Sequence, residues 1–164
     1  MAVKARILEL ARRLAKAPKT AEYAVVVFED GSEVWVRGSP LGAAVPIYAK
    51  ARGRAVAIVH THPVPRTTPS LADLQALLRI ALLGAPAYMA TVYRANGEAV
   101  VTLYTANTRI TPEAASHILR ESAEYERLQV QSSFSPAASE KQAREQHVML
   151  RQYGITVERY SLKL

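Results

Sequence analysis

Two histidines and an aspartate lie close together in the sequence, with a spacing that suits a metal site. His60 and His62 follow an apolar run, "AVAIV", that is typical of a buried strand. Side chains two positions apart on a strand project from one face, so both imidazoles could bind one ion. Asp73 falls in the first turn of a predicted helix that Ser70 opens. If that helix returns beside the strand end, two nitrogens and one carboxylate leave a fourth tetrahedral position for water, which is typical of catalytic zinc sites.

The same residues also have explanations that need no metal. Two histidines at a strand end are often simply hydrogen-bonded polar residues. The segment "SLAD" is a capping-box pattern, in which Ser70 caps the helix and Asp73 reaches back to the backbone. Capping does not explain why both residues follow the histidines so closely across a loop that Pro63, Pro65 and Pro69 stiffen and turn.

The elements around this segment alternate between helix and strand patterns. The chain reads as helix, two strands, strand, helix, two strands, two helices and a final strand. Asp30-Gly31 and Asn96-Gly97 are turn signals of two hairpins, and Thr111-Pro112 is a helix start. "IYAKAR", before the central strand, could form a short helix, and Ser135-Pro136 divides the last two helices. This order predicts an α/β sandwich with a mixed, curved sheet flanked by helices.

Length and composition favour one domain over residues 1–164, in which residues 111–153 form a helical C-terminal extension packed on or beside the sheet. That extension could equally form a dimer interface or a lid, so a homodimer is among the expected assemblies. The absence of cysteine excludes disulfides, cysteine nucleophiles and thiolate metal ligands. The longest apolar runs are strand-sized and no signal-peptide pattern is present, so we expect a cytoplasmic protein without membrane spans.

The net charge of +7 is concentrated at the N-terminus, where residues 1–20 contain six Lys or Arg and one Glu. One interpretation is a contact face for an acidic partner or a nucleic acid. The alternative is a solvated helix face, which is the usual role of such charge runs.

The segment from His60 to Asp73 resembles the signature of the JAMM (MPN+, JAB-domain) zinc metalloproteases, H-[ST]-H-P-x5-P-S-x2-D. The resemblance covers roughly residues 5–105 and is strong over 58–74. Every defining position is filled, by His60, Thr61, His62, Pro63, Pro69, Ser70 and Asp73.

This resemblance implies a JAB/MPN-like fold, similar to that of cytidine deaminases, with one zinc ion held by His60, His62 and Asp73. It implies an isopeptidase or peptidase that hydrolyses amide bonds with a zinc-bound water. In this family the scissile bond often follows the C-terminal tail of a ubiquitin-like protein, so the implied partner is a ubiquitin-like conjugate or a peptide substrate. Ser70, by the same resemblance, would stabilise the oxyanion.

The family's general base is a glutamate before an early strand, and the best match is Glu22, which precedes "YAVVVF". The family's usual "E-x-x-G" environment is missing there, and Glu29 and Glu33 are the alternatives. The alternative function is a non-catalytic JAB-like scaffold, or a nucleic-acid-associated protein like the RadC-like proteins that share the motif. Scaffold members generally lack the metal ligands that this chain retains.

Overall fold

The computed structural model describes residues 3–18, 20–38, 48–49, 52–62, 69–131 and 136–164. The turning role predicted for Pro63 and Pro65, and the helix break predicted at Ser135, lie outside the described residues. The elements are α1 (Val3–Leu14), β1 (Tyr23–Phe28), β2 (Glu33–Arg37), β3 (Tyr48–Ala49), β4 (Gly53–Thr61), α2 (Leu71–Leu83), β5 (Ala87–Ala95), β6 (Glu98–Ala106), α3 (Pro112–Gln131), α4 (Pro136–Gln152) and β7 (Ile155–Lys163).

The predicted α/β class and the predicted order of elements are confirmed, with one correction. The short helix expected at "IYAKAR" is wrong, because Tyr48–Ala49 forms strand β3 and pairs with Arg54 and Gly53. Two residues beside an existing strand gain backbone pairing that a single isolated helical turn cannot match.

The sheet is mixed, with the strand order β2-β1-β4-β5-β6-β7 and β3 paired to β4. β1 runs antiparallel to both β2 and β4, whereas β4 and β5 are parallel. Parallel neighbours need a long crossover connection, and the segment that contains α2 supplies it. The central position of β4 explains its nearly continuous apolar sequence.

The described residues form two compact units. The first contains the described parts of Met1–Pro65, Tyr88–Tyr104 and Glu158–Leu164. In its core, helix α1 packs on one face of the sheet, where each buried Leu or Ile stabilises the fold by about 1.5–3 kcal/mol. The buried residues of this core are Ile7, Leu10, Ala11, Leu14, Ala15, Val25, Val27, Ala57, Val59, Ala90, Val92, Ala99, Val101 and Leu103.

Both predicted hairpin turns are present in this first unit. Asn96 and Gly97 have φ values of 52° and 75°, the two left-handed positions that a type I′ turn requires. In the other turn Gly31 has a φ of 85°, and the Asp30 carboxylate accepts hydrogen bonds from the backbone and hydroxyl of Ser32. Those hydrogen bonds hold the pKa of Asp30 below its ordinary value.

The second unit contains the described parts of Arg66–Ala87 and Thr105–Val157, and thus helices α2, α3 and α4. α3 packs against both α2 and α4. The N–H of Ile110 donates to the carbonyl of Ala81, which ties the start of α3 to α2. Among the helices that the structure describes, none is long and apolar enough to span a bilayer.

Candidate metal centre

The two histidines lie at the carboxyl end of β4, where the strand geometry brings their rings together. His60 and His62 are 6% and 9% exposed, and their ring centroids are 4.9 Å apart. The N–H of His62 donates to the carbonyl of Val92 on β5, so the extended pairing continues one residue past the end of β4. This continuation keeps both imidazoles on one face, as their spacing predicts.

The Nε2 atoms of His60 and His62 are 3.0 Å apart. One neutral imidazole donating to the other would give this distance. Two nitrogens bound to one tetrahedral zinc at about 2.0–2.1 Å each lie about 3.3–3.4 Å apart, which is nearly the same separation. The geometry therefore suits both a hydrogen-bonded pair and a pair of metal ligands.

Asp73 and Ser70 form the capping box that their spacing predicts. The Ser70 Oγ accepts from the N–H of Asp73 at 3.1 Å, and the N–H of Ser70 donates to the Asp73 Oδ2 at 2.9 Å. Ser70 has the extended backbone of an N-cap, with φ −71° and ψ 164°. The capping explanation is thus confirmed, and it fixes the rotamer of the Asp73 carboxylate at the start of α2.

Capping does not prevent Asp73 from also binding a metal. Its ligand oxygen and one ring nitrogen each from His60 and His62 all lie within 4.8 Å of one another. A carboxylate has two oxygens with about four acceptor positions, so a bond at Oδ2 leaves capacity for a metal. Ligand atoms of one tetrahedral zinc lie about 3.3–3.6 Å apart, so a pair as wide as 4.8 Å would close by about 1 Å on binding. Two imidazoles and a carboxylate could hold one metal ion.

Glu22, the residue proposed as the general base, directly precedes β1 and lies beside the histidine strand. In the β1–β4 register Ala24 is opposite His60, and one more pair along the same register would place Glu22 opposite His62. Residues opposite each other on antiparallel strands have Cβ atoms about 4.5–5.5 Å apart and share a face. Glu22 is half-buried, and its carbonyl accepts from the N–H of Gly38 at 2.8 Å.

Glu29 and Glu33, the alternatives for the base, lie toward the other end of these strands. Glu29 is five residues beyond Ala24, about 17 Å along the strand. Its Oε1 accepts from the N–H of Arg54, whereas Glu33 is ion-paired with Arg6 at 3.1 Å. Both carboxylates have structural partners, and neither is brought to the histidines.

Thr61 has a role that the sequence analysis did not find. Its Oγ1 accepts a hydrogen bond from the N–H of Tyr23 at 2.9 Å, next to Glu22. The contact joins the start of β1 to the strand that carries both histidines. The position of a hydroxyl residue between two histidines can be noticed in the sequence. Its hydrogen-bond partner cannot be identified there, because the partner depends on the β1–β4 register.

A small pocket beside His62 was also not predicted. Its walls come from the end of α1, from β4 and from β5, which the parallel pairing of β4 and β5 brings together. No spacing along the chain indicates such a grouping, because its members are far apart in sequence. The lining residues are Leu14, Ala15, Ala17, Pro18, Ala21, Thr61, His62, Val92, Tyr93 and Arg94.

Comparison with known proteins adds no relative, since no family model matches the chain and a search of curated proteins finds no match. The resemblance of residues 60–73 to the JAMM signature is therefore carried by those residues alone.

Proposed function

We propose that this protein is a zinc-dependent peptidase or isopeptidase. The observation that carries the proposal is the grouping of one ligand atom each from His60, His62 and Asp73 within 4.8 Å. Three protein ligands of nitrogen and oxygen type are the set that catalytic zinc sites use, with a further position open to water or substrate. These residues stand at the metal-ligand positions of the signature that the segment resembles.

A zinc ion bound to these residues would act as a Lewis acid, polarising an amide carbonyl and lowering the pKa of water. Glu22, aligned with the histidine strand, would take a proton from the attacking water and return it to the leaving nitrogen. Proton transfer of this kind contributes about 10²–10⁴-fold to the rate.

Ser70 is suited to stabilise the oxygen of the scissile carbonyl. Its Oγ uses a lone pair to accept from the N–H of Asp73, so its hydroxyl hydrogen is not consumed by the cap. The capping box fixes Ser70 and Asp73 before substrate arrives, and preorganised donors of this type cost no reorganisation during the reaction.

The substrate class follows from the resemblance: an amide bond in a peptide, or one after the C-terminal tail of a ubiquitin-like protein. Scaffold members of the family that the signature resembles generally lack the metal ligands, whereas this chain retains His60, His62 and Asp73.

The test measures zinc and cleavage together in the purified protein. We expect about one zinc ion per chain in the wild type by inductively coupled plasma mass spectrometry, and almost none in His60→Ala. His117→Ala is the matched control, because His117 is exposed on α3 and is not part of the histidine–aspartate group. Glu22→Gln should keep its zinc and cleave a panel of ubiquitin-like fusions and peptides at least about 100-fold more slowly. A wild type that binds no zinc, or a Glu22→Gln variant with full turnover, would contradict the proposal.

A further inference from the structure

Trp35 is the only tryptophan in the sequence, and it lies on β2 with 44% of its surface exposed. A single exposed apolar side chain is ordinary on a protein surface, so a binding role for Trp35 has to be argued from its neighbours. Here the guanidinium of Arg13, on α1, lies 4.7 Å from the centroid of the Trp35 ring, which is within cation–π range. The pair places a planar cation and a large aromatic ring together at the surface.

Two further cations, Arg12 near the end of α1 and Lys16 just after it, lie within three residues of Arg13 in the chain. Arg6 is paired with Glu33, but Arg12, Arg13 and Lys16 are exposed. Within the part of the chain that the structure describes, no ion pair joins these three cations to a carboxylate. Their charge therefore faces solvent and is available to an anionic partner.

β2 adds another cation of the same kind. Arg37 is opposite Tyr23 in the β1–β2 register, and its guanidinium lies 5.9 Å from the centroid of the Tyr23 ring. Trp35 and Arg37 are two positions apart on β2, so both project from the face that also carries α1. We call Arg12, Arg13, Lys16, Trp35 and Arg37 the Trp35 surface. Its four cations outnumber the acids of α1 and β2, which are Glu9 and the Arg6-paired Glu33.

We propose that the Trp35 surface binds single-stranded nucleic acid. Single-stranded DNA and RNA present phosphates together with unstacked bases, and proteins bind them with cations that track the backbone and aromatic rings on which bases stack. An indole ring and a guanidinium plane both accept a stacked base. A duplex offers the phosphates but keeps its bases stacked, so it leaves the exposed ring of Trp35 unused. An anionic membrane can bind both cations and an indole ring, and the vesicle arm of the test below separates it from a single strand.

This inference does not depend on the proposed zinc chemistry, and its test needs no activity. Fluorescence of Trp35 is the whole tryptophan signal of the protein, so quenching on addition of an oligonucleotide reports contact at this residue. We expect quenching by DNA and RNA single strands of about 20 nucleotides at low salt, since binding sites of this type span about 4–16 nucleotides. Binding to the duplex of the same sequence should be about tenfold weaker, because the stacking contribution is lost.

Fluorescence anisotropy of labelled oligonucleotides then tests each kind of residue. Trp35→Ala should weaken binding about tenfold, and Trp35→Phe should restore part of the loss, because base stacking needs a ring. With four phosphate contacts the affinity should fall with a logarithmic salt slope of about −3, and Arg12→Gln/Lys16→Gln should reduce the magnitude of this slope by about 1.4. The matched control, Arg120→Gln/Arg151→Gln, removes the same charge from exposed positions of α3 and α4 and should leave the slope unchanged.

Three results would overturn the proposal. The first is no binding of either single strand at low salt by the folded wild type. The second is an equal loss of affinity in Arg12→Gln/Lys16→Gln and in Arg120→Gln/Arg151→Gln, which would show that net charge alone attracts the oligonucleotide. The third is duplex DNA or vesicles of anionic phospholipid binding as tightly as the single strands, with unquenched Trp35 fluorescence. Circular dichroism of each variant checks that it is folded, so that a loss of binding is not caused by unfolding.

Discussion

The two ends of strand β4 pair with the same neighbour and lie near the same type of residue, yet they differ in chemistry. At the amino end, Arg54 is ion-paired with Glu29 at 3.7 Å, and its N–H donates to the same carboxylate. At the carboxyl end, His60 and His62 converge on one point, and the register brings Glu22 alongside. A glutamate at the first end is a structural partner, whereas one at the second end lies beside ligands that could bind a metal.

The two ends of β4 differ in burial and in the convergence of side chains rather than in residue type. Glu29 has more than half of its side chain exposed, and exposed ion pairs contribute about 0–1 kcal/mol. His60, His62 and Asp73 are nearly buried, where grouping polar side chains costs free energy unless they are hydrogen-bonded or bind an ion.

The largest difference between the two ends should appear on addition of zinc. A ligand present at about 1,000 times its dissociation constant stabilises the folded state by about 4 kcal/mol, which for a chain of this size raises the melting temperature by about 10 °C. We expect this rise, measured by differential scanning fluorimetry, for the wild type and for Arg54→Gln, and its loss in His62→Ala. An equal rise in the melting temperature of His62→Ala would show that zinc does not bind at the histidine end of β4.

Activity should separate Glu22 from Glu29. Glu22→Gln should lower kcat/KM by about 10²–10⁴-fold with its zinc retained, because a general base is lost. Glu29→Gln should change kcat/KM less than twofold and cost about 0.5–1.5 kcal/mol of unfolding free energy, through the weakened hydrogen bond to Arg54. Comparable activity in both variants would remove Glu22 from the role.

The metal-binding and capping roles of Asp73 can be separated in the same way. Asp73→Asn keeps an oxygen acceptor for the cap and loses the anionic ligand. Zinc affinity should therefore fall by more than the about 10–100-fold that loss of an outer-shell partner costs, with little change in stability. Thr111→Ala removes an N-cap at α3, where Thr111 Oγ1 accepts from the N–H of Ala114. That control should lose about 1 kcal/mol of unfolding free energy with zinc affinity unchanged. Isothermal titration of zinc and chemical denaturation measure the two quantities, and a parallel loss of both in Asp73→Asn would favour capping alone.

The smallest predicted effect concerns alignment of the two strands at the histidine end. Thr61→Val keeps the shape of the side chain and removes the acceptor for the N–H of Tyr23. We expect a cost of about 1–2 kcal/mol in unfolding free energy and a reduced kcat with zinc content unchanged, since Glu22 is then less firmly positioned. Denaturation and steady-state kinetics on the zinc-loaded variant would test this, and unchanged kcat would show that Thr61 does not position the base.

Local signals in the sequence predicted the geometry of the histidine pair and of the capping box. The H-x-H spacing follows from strand geometry, and the capping box at Ser70 and Asp73 involves residues within one helical turn, so neither depends on the rest of the fold. The turn at Asn96-Gly97 is predicted for the same reason.

Features that depend on distant pairing could not be predicted in this way. The contact of Thr61 with Tyr23 needs the β1–β4 register, and the contact of Arg13 with Trp35 needs α1 to pack beside β2. The strand at Tyr48–Ala49 exists only because β4 is beside it, and its own residues indicate a helix as readily.

The most direct test of the central claim is a crystal of the zinc-loaded protein, measured on both sides of the zinc absorption edge. The proposal predicts one anomalous peak, about 2.0–2.2 Å from a nitrogen of His60, a nitrogen of His62 and an oxygen of Asp73. The contradictory result is the absence of a peak among these side chains, with the two imidazole nitrogens still hydrogen-bonded to each other at 3.0 Å.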